Sequence, residues 1–183
     1  MATREEILRA RIELVERHVR SENLHDLEAI METFGEAARY DDEPWGDHRV
    51  GRHGVRSYYE ELIRALPDLR IDVQRRHVSD DYVVLEVEIS GTQKGEWRGL
   101  PGTGRRVSFP LCAVYSFDDK QKLAGEKIYY DRATSLSQVG LFHDPSTLLG
   151  QITTPIFHPI TVVKALARSL LRRWLGDSSE PKH

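Results

Sequence analysis

The sequence predicts an α+β fold, helices first and an antiparallel sheet after them, from two observations. Apolar residues up to Leu66 recur at a period near 3.6, and those from Leu69 to about Asp131 recur at a period of 2. The strands follow one another without intervening helices, whereas a parallel doubly wound fold needs a helix between strands. No internal repeat or low-complexity segment interrupts the pattern. The 183 residues suffice for one domain with its own core and an appendage.

Leu8, Ile12, Val15 and Val19 are spaced four, three and four, which lines them along one side of a first helix. Asn23 is placed to cap a second helix, in which Leu24, Leu27, Met31 and Phe34 repeat that spacing. The stretch "YDDEPWGDHRVGRHG" reads as a loop, after which Val55, Tyr59, Leu62 and Leu66 mark a third helix stopped by Pro67. Three helices are therefore expected before any long strand.

Leu69, Ile71 and Val73 alternate with Arg70, Asp72 and Gln74, and Val83, Leu85, Val87 and Ile89 alternate with Val84, Glu86, Glu88 and Ser90. Each run reads as a strand with one wet face. Val107, Phe109, Leu111, Ala113, Tyr115 and Phe117 share one side of a third strand, in which Pro110 demands an edge position or a bulge. The fourth runs from Leu123 to Asp131. Between the second and third lies "GTQKGEWRGLPGTGRR", a turn-dense connection with five glycines and a proline.

From about Asp144 the character changes, so a domain of residues 1–143 and an extension of residues 144–183 are expected. Pro145, Pro155 and Pro159 precede a helical pattern from Ile160 to Leu175 and a polar end expected to fray. Val163, Leu166, Leu170 and Trp174 form an apolar stripe, while Lys164, Arg168 and Arg172 fall on another side. This basic amphipathic helix fits docking on the domain or on a second subunit, with a peripheral membrane contact as the other reading.

Composition removes several classes of function. A net charge of -3 argues against nucleic acid as a partner. The one cysteine, Cys112, forms no internal disulfide, reads as a small core residue and fits a reducing cytoplasm. The charged start "MATREEILRARIEL" is no secretory signal, and no apolar run reaches the roughly 18 residues of a membrane span. There is no G-x-S-x-G elbow, phosphate loop, dinucleotide fingerprint or H-E-x-x-H. His48 and His53, five apart, do not align two ligands on a helical face, and no metal site is expected.

An acid and its surroundings remain. On the last strand Lys127, Tyr129 and Asp131 share one face, and Glu126, Ile128 and Tyr130 the other. Asp131 either caps the helix "RATSLSQVGL", which Thr134 or Ser135 can also start, or works in a pocket. Glu126, on the opposite face, is expected in a surface ion pair, although a one-residue bulge would exchange the two carboxylates. Of the adjacent Tyr58 and Tyr59, at most one is expected to face inward.

The stretches "GTQKGEWRGLPGTGRRV" and "EKIYYDRATSLSQVGL", with Asp131, Leu136, Gln138 and Gly140 recurring together, resemble the SnoaL-like polyketide cyclases and ester-cyclase-type proteins of the nuclear transport factor 2-like superfamily. The resemblance covers roughly residues 5 to 142. It implies a cone formed by a strongly bent, mostly antiparallel sheet, closed by the N-terminal helices around an apolar cavity, and commonly a homodimer. It also implies a general acid/base at Asp131 acting without a cofactor on a small hydrophobic carbonyl compound, by aldol-type ring closure. Isomerases, hydratases, epoxide hydrolases and noncatalytic binding or assembly modules are the alternatives on this scaffold. Burial would raise the Asp131 pKa toward neutrality, with Lys127 opposing, and Tyr129 with Tyr58 or Tyr40 would hydrogen-bond an enolate oxygen. Tyr40, Trp45, Tyr58, Gln93 and Trp97 are the candidate substrate-binding residues. Gln93 stands where many relatives have His, and Gly102 replaces a common Pro.

Overall fold

The computed structural model describes residues 3–143, 146–157 and 159–175. It divides into two units, residues 1–139 and 140–183. The first is α+β, with elements in the order α1 (Arg4–Asn23), α2 (Leu27–Thr33), β1 (Phe34–Asp42), a short turn of 3-10 helix (Glu43–Trp45), β2 (Asp47–Val50), α3 (Gly51–Ala65), β3 (Arg70–Val78), β4 (Tyr82–Thr92), β5 (Arg106–Phe117), β6 (Leu123–Tyr130) and α4 (Arg132–Gln138). The strands form one sheet in the order β2-β1-β6-β5-β4-β3. Its pairs are antiparallel except β1 with β6, which run parallel.

Helix α1 starts from a capping box in which Thr3 and Glu6 exchange side-chain and backbone bonds. Asn23 belongs to α1 rather than capping α2. Its amide clamps the Ile71 backbone, donating to the carbonyl at 2.9 Å and accepting from the N–H at 2.7 Å. Asp26 caps α2 instead, and Leu24, expected on the apolar stripe, is 72% exposed.

Two helices, not three, precede the first long strand. β1, "FGEAARYDD", was not expected because Gly, Glu, Ala and Asp are poor strand formers without a clean alternation. It becomes a strand through its neighbours, pairing on both sides. The stretch read as a loop supplies the end of β1, the 3-10 turn, β2 and the start of α3.

On the core face, Val83, Leu85, Val87 and Ile89 of β4 meet Val107, Phe109, Ala113 and Tyr115 of β5, all buried. Cys112 points the other way and is only half-buried, so it is not a core residue. β5 is central, yet Pro110 lies one residue beyond the end of the pairing with β6, where one flank is open.

The decisive irregularity is in β6. Phe117 faces Leu123 but Ser116 faces Gly125, so Ala124 is an extra residue, a β-bulge. Leu123 is buried, and beyond the bulge the buried parity shifts to Glu126 and Ile128, with Tyr130 following. Lys127 and Tyr129 are turned outward. Glu126 is therefore a core residue, not a member of a surface ion pair.

The second unit contains α5 (Leu148–Phe157) and α6 (Pro159–Leu175). Only α6 was expected. α5 carries Pro155 inside it, which removes one helical hydrogen bond. Leu148, Ile152, Ile156, Val163 and Leu166 are exposed on these helices. The side chains of Leu170, Arg172 and Trp174 and the polar end after residue 175 lie outside the described residues. Among the described residues no helix is long and apolar enough to cross a membrane.

Candidate active site

The core face of the sheet, α3 and the roof helix α4 enclose a cavity of about 110 Å³. At about 30 Å³ for each water, that is room for roughly four waters, or for a small ligand in their place. Its wall is mostly apolar, with Leu62, Ile71, Val87, Phe109, Ile128 and Leu136 among the lining residues. Into this wall two groups of polar side chains are set.

The first is built on α1. His18 is fully buried, and its Nδ1 lies 2.8 Å from Thr33 Oγ1. The one proton of that hydroxyl goes to the Ile30 carbonyl at 2.6 Å, so Thr33 must accept from His18, and Nδ1 carries a hydrogen. Nε2 then faces Glu126 Oε2 at 3.2 Å and Glu22 Oε1 at 3.6 Å. A bare ring nitrogen there would oppose its lone pair to carboxylate oxygens. The ligating atoms of His18, Glu22 and Glu126 lie within 4.8 Å of one another, so one cation can be shared. Nε2 is within hydrogen-bond reach of Glu126 Oε2 at 3.2 Å and of the Tyr59 hydroxyl oxygen at 3.0 Å, so a proton on it can be shared within the group.

Tyr59 donates to Glu126 Oε2 at 2.7 Å and Tyr115 donates to Oε1 at 3.2 Å, so both oxygens of Glu126 are occupied. Glu22 differs. It is 4% exposed, lines the cavity, and its Oε2 has no partner among the described residues. Burial pushes its carboxyl up to about 7, against the pull of His18 and with the Glu126 carboxylate adding to the rise. Burial disfavours the charged form of His18, but Glu22 and Glu126 outweigh it and raise the imidazole above its ordinary value.

The second group sits where β1 ends. Asp42 is fully buried and accepts from Tyr58 at 3.2 Å and from Arg98 at 3.0 Å, both on Oδ2. Arg98 also binds Asp47, and its guanidinium lies 4.6 Å from the centre of the Trp97 ring. Burial raises the Asp42 carboxyl, with Arg98 opposing. Asp42 Oδ1, Arg98 Nε and Trp45 Nε1 have no partner among the described residues. Tyr58 and Tyr59 are both buried, which corrects the expectation that only one faces inward. They turn to different groups.

Asp131 is outside the cavity. It is exposed and caps α4, accepting from the Ala133 N–H at 2.9 Å, the Thr134 N–H at 3.2 Å and the Thr134 hydroxyl at 2.6 Å. The Thr134 hydroxyl and these N–H groups hold its carboxyl below the usual range, the reverse of the expected shift. The bulge at Ala124 has put Glu126 on the inner face. Tyr129 is 47% exposed and also away from the cavity, and Lys127 pairs with Glu43 at 3.1 Å. His48 is exposed and bonded to Asp41.

Tyr40, Trp45, Tyr58, Gln93 and Trp97 all line the cavity. Tyr40 stacks on Tyr58 at 3.8 Å, and Trp97 meets Tyr58 edge-on at 5.7 Å. Gln93 is committed to its own loop: Oε1 accepts from the Thr103 hydroxyl at 2.7 Å, and Nε2 reaches the carbonyls of Gly95 and Pro101. Gly102 lies against the same loop, where a Cβ would stand 2.1 Å from the Lys94 carbonyl oxygen. The residues overlooked from the sequence are His18, Glu22 and Asp42. His18 and Glu22 continue the three-and-four spacing of Val15 along α1, a signal that was legible.

Residues 12–139 match the model of the SnoaL-like polyketide cyclase family, so the chain belongs to that family. Its nuclear transport factor 2-like, ketosteroid isomerase-like fold recurs in solved structures. A putative SnoaL-like polyketide cyclase from Jannaschia sp. CCS1 matches with a TM-score of 0.68 and 20% identity over 76% of this chain and 97% of its own. AclR, a putative hydroxylase from Streptomyces galilaeus, gives 0.64 and 24% over 74% and 99%. A protein of ketosteroid isomerase-like fold from Catenulispora acidiphila, in complex with trimethylamine, gives 0.61 and 17% over 70% and 93%. At these identities the likeness is one of fold. A comparison with curated protein sequences finds no match.

Proposed function

We propose that the cavity binds a small hydrophobic carbonyl compound and that Glu22 moves a proton on it, in a cofactor-independent, aldol-type cyclisation. The observation that carries this reading is the free Oε2 of Glu22, buried on the cavity wall in a carboxyl whose pKa lies near 7. Such a group is divided between acid and base at neutrality and can accept a proton and return it.

In the forward step Glu22, as carboxylate, takes a proton from the carbon beside the carbonyl. The C–H electron pair moves into the carbonyl and gives an enolate. Tyr40 lines the cavity and its phenol is held well above its ordinary pKa by burial, so it stays a neutral donor for the enolate oxygen. The enolate carbon attacks a second carbonyl in the same molecule, a C–C bond forms, and the new alkoxide takes the proton back from Glu22. His18, anchored by Thr33, and Glu126, anchored by two tyrosines, keep the charge beside Glu22 fixed during the exchange.

The test uses α-proton exchange of beta-tetralone in deuterium oxide, followed by proton NMR. The protein accelerates exchange over buffer, and Glu22→Gln lowers that acceleration about 100-fold. No acceleration by the parent protein, or equal acceleration by Glu22→Gln, overturns the reading.

A further inference from the structure

Helices α5 and α6 each have an apolar side, and the proposed reaction makes no use of either. Leu148, Ile152 and Ile156 are four apart in α5, and Ile160, Val163 and Leu166 are three apart in α6, so each set lines one side of its helix. All six are between 59% and 82% exposed. Continuous apolar surface of this kind is uncommon on a protein that meets only water. Lys164 stands about 100° round the helix from Val163, with Arg168 one turn beyond it, and both are exposed. The basic side of α6 therefore borders the apolar one.

We propose that α5 and α6 bind the surface of an anionic lipid bilayer, lying along it with their apolar sides among the acyl chains and the basic residues at the headgroups. Neither helix is built to cross. α5 has 10 residues and is about 15 Å long, half of what a hydrocarbon core requires. α6 includes Lys164 and Arg168, and no described helix is long and apolar enough to span a membrane. At an interface the same residues fit, because the aliphatic stems of Lys and Arg cover apolar surface while their charges stay in the headgroup layer.

Two features choose lipid over protein. The first is charge. Residues 145–176 contain Lys164, Arg168, Arg172 and Arg173 and no Asp or Glu, in a chain whose net charge is -3. A second copy of this segment would bring like charges together with no acid of its own to pair them. The second is the lack of a matching apolar stripe in the first unit. Its exposed large apolar side chains, Leu24, Val50, Val73, Val78, Tyr82 and Tyr129, are scattered over the end of α1 and over β2, β3, β4 and β6. An anionic bilayer supplies both requirements at once, an apolar interior beneath a negative layer.

Co-sedimentation of the full chain with vesicles tests this, using phosphatidylcholine alone and equal parts phosphatidylcholine and phosphatidylglycerol, beside size-exclusion chromatography without lipid. The chain binds the anionic vesicles at least about tenfold more tightly than the neutral ones, and added salt weakens that binding. Lys164→Gln with Arg168→Gln lowers partition onto the anionic vesicles about 30-fold, the worth of two basic residues at such a surface. Ile156→Glu with Leu166→Glu abolishes it. Binding to neither vesicle overturns the proposal: a dimer that Ile156→Glu with Leu166→Glu turns into a monomer would assign the apolar sides to a second copy, and a parent monomer would assign them to the chain itself. Equal binding to the two vesicles, or binding that survives both pairs of substitutions, overturns it as well. None of these outcomes touches the Glu22 reading, which is tested in solution without lipid.

Discussion

Tyr58 and Tyr59 are consecutive in α3 yet serve different carboxylates, Tyr58 donating to Asp42 at 3.2 Å and Tyr59 to Glu126 at 2.7 Å. Successive helical residues diverge by about 100°. One turn of α3 thereby ties both polar groups of the cavity to a single rigid element, and the two rings meet edge-on at 6.0 Å. The position of one group is set by the same helix that sets the other.

Asp131 and Glu22 separate by substitution. Asn is as good a helix cap as Asp, so Asp131→Asn keeps both the fold and the parent rate of α-proton exchange. Asp131→Ala removes the acceptor for Ala133 and Thr134 and loosens α4, which shows as faster amide hydrogen exchange in residues 132–138. Loss of proton exchange in Asp131→Asn with the fold intact would return the chemistry to Asp131.

Stability falls as pH rises from about 5 to about 8. The Glu22 carboxyl, raised from 4.5 to about 7, keeps a proton in the folded protein that the unfolded chain has released. The folded state therefore binds more protons across that window, and its stability decreases with pH by an amount on the order of 3 kcal/mol. His18 is raised too; its stabilising charge is complete below its unfolded pKa and is lost as pH climbs through the folded one. Both act in one direction. Thermal melting across this range checks the slope, and Glu22→Gln flattens it; a midpoint that climbs with pH contradicts the raised pKa values of Glu22 and His18.

Thr33→Val takes away the acceptor for His18 Nδ1 and leaves a buried N–H unmet, at a cost of about 1–3 kcal/mol. The ring is then free to change tautomer. Beyond the lower melting temperature, the pH midpoint of catalysed proton exchange moves, which a purely structural threonine would not cause. Thr33→Ser retains the acceptor and restores the parent midpoint.

Gly102→Ala destabilises the β4–β5 connection, because the added carbon would lie 2.1 Å from the Lys94 carbonyl oxygen and the loop must open to admit it. The expected loss is about 1–3 kcal/mol in chemical denaturation. An unchanged denaturation midpoint would mean that the loop yields freely and that Gln93 does not pin it.

The helical stripe of Val15 and Val19 and the alternation in β4 and β5 were legible because each segment shows its own period. β1 was not, since "FGEAARYDD" owes its conformation to β2 and β6 on either side rather than to its own preferences. The family resemblance located the right scaffold, and five residues singled out from the sequence, Tyr40, Trp45, Tyr58, Gln93 and Trp97, line the cavity. Asp131, expected in the pocket, lies outside the cavity and Glu126 lines it, because strand alternation by itself does not tell which face is inward once an extra residue stands at Ala124. Asp42 was hidden by its place among acidic and aromatic residues in what read as a solvated loop.

Ala124 gives the protein a switch of a kind that ordinary point changes do not reach. Removing this one amino acid would reverse the phase of everything downstream in the strand, presenting a lysine and a tyrosine to the hollow and sending its carboxylate to water. Relatives that differ by a single insertion or deletion here would share an outline while exposing opposite sets of side chains to whatever they hold.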